Sequence, residues 1–182
     1  VTTQAAPNAG SNGSRVICAG STVTAAQLFT SLGGTPAAGG SWSPTPAGAG
    51  LYTYTVIGVA PCANATATVT VTTQAAPNAG SNGTLNICST AAPVTLITSV
   101  GGTPALTGTW SGPNSTAHSG TFLPGTDVAG VYTYTVPPTA PCAVSATATV
   151  TVSYATDSDN DGVCNTLDNC PNTPGQIGST CN

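Results

Sequence analysis

Apolar and polar residues alternate with a period of two along much of the chain. Tyr52, Tyr54 and Val56 fall on one side of an extended segment, with Thr53 and Thr55 on the other, and Ala/Thr alternation fills Ala65 to Thr70. Successive side chains of a strand point to opposite faces, so this pattern predicts strands with one buried and one wet face. Threonine suits the wet face, being β-branched yet polar. Helical periodicity is missing. "GGTPAAGG", "SPTPAGAG" and "APNAGSNG" interrupt the alternation and cut the chain into short strands at the intervals of an antiparallel sandwich. The fold class expected is all-β.

The pattern also repeats. "VTTQAAPNAGSNG" occurs at Val1 to Gly13 and again, letter for letter, at Val71 to Gly83. "LGGTPAAGGSW" then answers "VGGTPALTGTW" (Trp42, Trp110), "GLYTYTV" answers "GVYTYTV", and "APCANATATVTV" answers "APCAVSATATVTV". Two homologous domains, 1–70 and 71–152, are therefore expected in tandem, with a short segment 153–182 after them. From tryptophan to first paired tyrosine the interval is 10 residues in the first repeat (Trp42 to Tyr52) and 22 in the second (Trp110 to Tyr132), an insertion of 12. The added stretch holds His118, Phe122 and Asp127 and reads as a loop or an extra edge hairpin.

As a set, these landmarks resemble the immunoglobulin-like repeats strung along very large bacterial surface proteins. The resemblance covers residues 1 to about 152. It implies β-sandwich domains in a stalk, adhesin or fibre, and no catalytic activity.

Charge enters the picture at one place. The chain of 182 residues has one basic side chain and five carboxylates, a net charge of -4, and Arg15 and Asp127 cancel. The other four carboxylates sit in "DSDNDGVCNTLD", Asp157 to Asp168, at loop positions 1, 3, 5 and 12, with glycine at 6. That is the spacing of a calcium loop: a hard cation takes six to eight oxygens, and glycine permits the sharp turn that wraps them around it. Asp157, Asp159 and Asp161 are the expected side-chain ligands. Val163 offers its carbonyl, Asn165 acts directly or through water, and Asp168 closes the shell. With the continuation "DNCPNTPG", residues 157 to 174 resemble a thrombospondin type 3 repeat, a calcium-binding module of extracellular proteins. The resemblance places the ligands on Asp157, Asp159, Asp161, Val163 and Asp168. Asn165 stands where that family has aspartate, and one motif is present where the family stacks several.

Seven cysteines, with no CxxC pair and a single histidine, suit disulfides and an oxidising compartment better than zinc. One staple per domain is the economical expectation, Cys18 to Cys62 and Cys88 to Cys142, each contributing on the order of 4 kcal/mol by chain entropy. Among Cys164, Cys170 and Cys181, a Cys170–Cys181 bond is the first expectation and Cys164–Cys170 the second. The third cysteine is then free or bridges to a neighbouring module.

The classes excluded are as informative. A basic patch for nucleic acid or an acidic membrane face is absent, no apolar run is long enough to span a membrane, and no lysine accompanies a phosphate-type glycine loop. Trp42, Trp110 and the paired tyrosines read as core residues, and His118 as a surface residue of a polar loop rather than a catalytic base. Asn12, Asn64, Asn82 and Asn114 begin N-x-Ser/Thr sequons, taken as accidental in a chain so rich in Asn and Thr. The chain opens directly on "VTTQAAPNAG" and reads as a mature segment or an excerpt of something longer.

The expected function is that of an extracellular, bacterial cell-surface structural protein with calcium at its joint. It associates end to end through the N-terminal segment, or continues into flanking repeats. The rival expectation is an adhesive or glycan-binding module that uses the long loop of the second repeat and exposes an aromatic at Phe122 or Trp110.

Overall fold

The structure is a computed structural model that describes residues 3–174. The fold is predominantly β, and the described chain divides into two compact units. The first gathers residues up to Ala76 together with the short loop Pro138–Ala143; the second holds Pro77–Pro137 and the chain from Val144 onward. The last strand of the first repeat runs through the expected boundary at residue 70, and the C-terminal segment groups with the second unit.

In the first unit, β1 (Gly13–Cys18), α1 (Ala25–Phe29), β2 (Ser41–Ser43), β3 (Gly50–Val56) and β4 (Ala65–Gln74) follow in order. The sheet order is β1-β4-β3-β2, with β1 parallel to β4 and the other pairs antiparallel. Tyr52, Tyr54, Ala67, Val69 and Val71 are the buried alternates of β3 and β4, as the period of two predicts. They pack with Ala9, Val23, Leu28 and Leu32. The periodicity gave no sign of α1, because five residues are too short to show a 3.6-residue repeat. A local signal was there: "TAAQ" makes a capping box, in which Gln27 N–H donates to Thr24 Oγ1 at 3.3 Å and Thr24 N–H donates to Gln27 Oε1 at 2.9 Å.

The second unit repeats the plan with β5 (Gly83–Ile87), β6 (Val94–Thr95), β7 (Thr109–Ser111), β8 (Ala117–His118), β9 (Thr121–Phe122), β10 (Gly130–Val136) and β11 (Ala146–Tyr154). The main sheet is β5-β11-β10-β7-β8, with β5 parallel to β11, and β6 pairs with β9 separately. The insertion forms β8 and β9, so it is an added edge strand plus a small second ribbon. Both main sheets are mixed, where wholly antiparallel sheets were expected. The first strand of each repeat aligns parallel with the last, which the alternation alone cannot reveal.

The identical stretch in the two repeats is a clasp. Asn8 Nδ2 donates to the Thr35 carbonyl, its Oδ1 accepts from Gly10 N–H, and Asn12 Oδ1 accepts from Thr68 N–H, each at 2.9 Å. Asn78 and Asn82 do the same with Thr103, Gly80 and Thr149, again at 2.9 Å. Gly83 approaches so closely that a Cβ would lie 1.7 Å from the Ser99 carbonyl oxygen, and Gly13 meets Ser31 identically. Three of the four sequon asparagines thus serve the fold, Asn64 by accepting from Gly58 N–H at 3.0 Å.

The buried tyrosines brace loops through their hydroxyls. Tyr134 accepts from Gly108 N–H at 2.8 Å and donates to the Ala105 carbonyl at 2.6 Å, and Tyr54 does the same with Gly40 and Ala37. Trp42 and Trp110 are half-buried and lie with ring centroids 5.0 Å from Tyr54 and Tyr134. They flank the core, whose fully buried aromatics are Tyr54, Tyr132 and Phe122. Tyr134→Phe keeps the ring but strands one donor and one acceptor, so a loss of about 1–3 kcal/mol is expected in urea unfolding. An unchanged midpoint would show that these bonds add nothing to stability.

The cysteines overturn the expectation of one staple per domain. Cys18 bonds to Cys142 with a Cα separation of 4.8 Å, and Cys88 bonds to Cys164 at 5.8 Å. Parallel pairing is the reason. Cys18 is register partner of Gln74, at the far end of β4 from the turn that carries Cys62. A ten-residue strand puts about 30 Å between those ends. The same geometry separates Cys88, just after the Ile87–Tyr154 pair, from Cys142 in the turn before β11. Cys164 is thereby taken, which removes the Cys164–Cys170 alternative. Cys62 is free. The expected Cys170–Cys181 bond involves a position outside the described residues.

Candidate metal centre

The carboxylate loop begins where β11 ends. Ala155 N–H donates to the Ile87 carbonyl at 3.0 Å, extending the β5–β11 pairing, and Asn165 N–H donates to the Thr156 carbonyl at 2.9 Å to close the loop. Between these points the aspartates organise the backbone that carries them. Asp157 Oδ1 accepts from Asn160 N–H at 2.9 Å and its Oδ2 from Gly162 N–H at 3.0 Å; Asp161 Oδ1 accepts from Val163 N–H at 2.8 Å. Gly162, at loop position 6, has φ +91°, which an L side chain adopts only under strain.

The outcome is three carboxylates turned toward one another. Asp157, Asp159 and Asp161 each offer an oxygen within 4.8 Å of the others. Oxygens bound to one calcium ion at about 2.4 Å lie at most about 4.8 Å apart, and this group meets that limit. Asp159 Oδ2 and Asp168 Oδ2 are buried and have no hydrogen-bond partner among the described residues. Loss of water raises the Asp159 pKa above the ordinary carboxylate value, and the charges of Asp161, Asp168 and Asp157 add to the rise, against a hydrogen bond from Asp161 N–H. Ionising Asp159 therefore costs the folded loop. That cost is absent while the group is protonated and appears as the pH climbs through the carboxylate range, unless a cation offsets it.

The three expected ligands at positions 1, 3 and 5 come together, and Asp168 lies near enough to raise the Asp159 pKa, with Oδ1 accepting from Cys170 N–H at 2.8 Å. Asn165 is engaged otherwise: its Oδ1 accepts from Ser158 N–H at 2.9 Å and its Nδ2 donates to Ser158 Oγ at 2.7 Å. It ties the loop's two ends together. Val163 places its N–H on Asp161, which holds the backbone whose carbonyl was expected to bind.

A tether that the sequence did not reveal fixes the loop to the second unit. Cys164, between Val163 and Asn165, is bonded to Cys88 at the end of β5, and Thr90 Oγ1 donates to the Gly162 carbonyl at 2.7 Å. Only the presence of a cysteine inside the loop hinted at this.

The long loop of the second repeat has a different character. His118 Nδ1 accepts from Gly120 N–H at 3.0 Å, so the ring proton of the neutral form sits on Nε2, 3.3 Å from Asp127 Oδ2. Asp127 Oδ2 also accepts from Leu123 N–H at 2.7 Å. Both ring nitrogens are spent on holding the loop, and His118 is partly buried rather than a surface residue. Phe122 is 0% exposed and packs edge-on against Tyr132, which removes it as an exposed platform. Trp110 helps line a cleft of about 170 Å³ with Leu106 and Tyr134.

Compared with models of known protein families and with curated proteins, the sequence matches none.

Proposed function

We propose that this chain is a structural repeat unit of an extracellular stalk, adhesin or filament on a bacterial surface, with immunoglobulin-like sandwich domains followed by a calcium-stiffened segment. One observation carries the reading: the acidic loop is bolted to the preceding repeat by Cys88–Cys164 and the Thr90–Gly162 hydrogen bond. A cation held there would stiffen the passage from β11 into whatever follows. The disulfides suit an oxidising compartment, and among the described residues no helix is long and apolar enough to cross a membrane.

Asp157, Asp159, Asp161 and Asp168 would hold the calcium, which supplies charge neutralisation and cross-linking. Extracellular sites of this kind bind at about 0.1–1 mM. At roughly 2 mM free calcium, mass action then adds about 0.6–1.8 kcal/mol to the ordered loop. Titration calorimetry should show calcium heat at millimolar concentration, and Asp159→Asn should reduce it at least tenfold in affinity while the sheet circular dichroism stays unchanged. Absence of heat in the unaltered protein would remove calcium. Electron microscopy of native material before and after chelation tests the assembly: fibres that soften support it, and compact particles indifferent to chelation favour a soluble binding module. That second reading keeps one specific support, the Trp110 cleft.

A further inference from the structure

Cysteines recur at one place in successive modules. Cys62 and Cys142 both follow "AP" in the turn before the last strand, and each closes it through an N–H to a carbonyl three residues back, Val59 and Thr139, at 2.9 and 3.0 Å. Cys142 Sγ lies 3.8 Å from the Gln74 carbonyl oxygen and is bonded to Cys18, whose register partner is Gln74. Cys164 obeys the same rule. Its Sγ lies 3.9 Å from the Ala155 carbonyl oxygen, and it is bonded to Cys88, which follows the Ile87–Tyr154 pair. In both cases a cysteine at the end of a parallel first strand is captured by the next module's cysteine, across the end of the strand between them.

Cys62 has every part of this arrangement except the captured strand. Its Sγ lies 3.9 Å from the Gln4 carbonyl oxygen, and Gln4 is the counterpart of Gln74 in the repeated "VTTQAAPNAGSNG". Cys18 and Cys88 are both consumed, so neither pairs with it. The surroundings differ accordingly. Cys142 is buried, whereas Cys62 is half-exposed beside Ile57 and Val59, which are 75% and 63% exposed.

We propose that Cys62 forms a disulfide with the strand-end cysteine of another repeat of this kind, whose first strand lies parallel beside the segment ending at Gln4. The inference rests on reading the chain as a repeat unit, and it is independent of calcium. Two thiols lose two protons and two electrons to form one S–S bond; a small-molecule disulfide accepts the electrons and protons and departs as two thiols. The partner strand comes from the same polypeptide or from a separate copy.

The test is a disulfide map of native protein, alkylated without reduction, digested and analysed by mass spectrometry. Cys62 is expected to be at least 80% bonded, to a peptide with a strand-end cysteine like that of "RVIC" or "LNIC". Gels with and without reductant separate the sources: mass falls on reduction if the partner is another polypeptide and is unchanged if it is the same one. Alkylated Cys62 in most molecules, or Cys62 joined to another Cys62, overturns the proposal. Fibres seen by electron microscopy alongside a free Cys62 would sink this inference alone, whereas compact single particles would sink the repeat-unit reading beneath it. Cys62→Ser should leave the melting temperature of the 182-residue chain within about 2 °C; a larger drop would mean that Cys62 serves the local fold instead.

Discussion

Replacing Cys88 and Cys164 together by alanine is expected to destabilise the second unit by about 2–5 kcal/mol, read as a lower urea midpoint. The bond closes a sequence separation of 76 residues, so its loss frees a large denatured ensemble. It also removes the covalent hold on the loop that carries Asp157, Asp159 and Asp161, where the Thr90 to Gly162 hydrogen bond remains. Calcium affinity should therefore fall in the same variant. A solvated acidic turn would lose stability without any change in calcium response, and a midpoint equal to the parent's would mean that the pair is not formed in solution.

Phe122→Ala is the other large effect, about 3–5 kcal/mol. The ring is wholly buried, with centroids 5.6 Å from Tyr132 and 6.1 Å from Tyr154, and it belongs to the cluster built on Leu96, Val150 and Val152. Truncation leaves a cavity among residues that the two sheets hold in place. The experiment also separates two roles for the long loop. A residue that only touches a ligand would give up binding at constant stability, so a variant as stable as the parent would return Phe122 to the surface and reopen the glycan-binding reading.

How much was legible followed the range of the interactions. Strand identity was, because Tyr52, Tyr54, Val69 and Val71 need only the period of two to find the inner face. The acidic loop was too, since its oxygens are brought together by turns spanning two to five residues, such as Asn160 and Gly162 onto Asp157. The role of the repeated stretch was half legible: it read as a loop, yet Asn8 and Asn12 reach Thr35 and Thr68, and those partners lie far along the chain.

Sequence by itself determined the β class, the duplication, the place of the acidic loop and a cysteine count that suits disulfides. Tertiary structure alone decided which cysteines meet, because bonding follows strand direction, and alternation is the same whether a strand runs parallel or antiparallel to its neighbour. With β1 parallel to β4, Cys18 is carried to the end beside Gln74 and away from Cys62. With β5 parallel to β11, Cys88 is likewise delivered to Cys164, and the acidic loop is bound to the repeat before it.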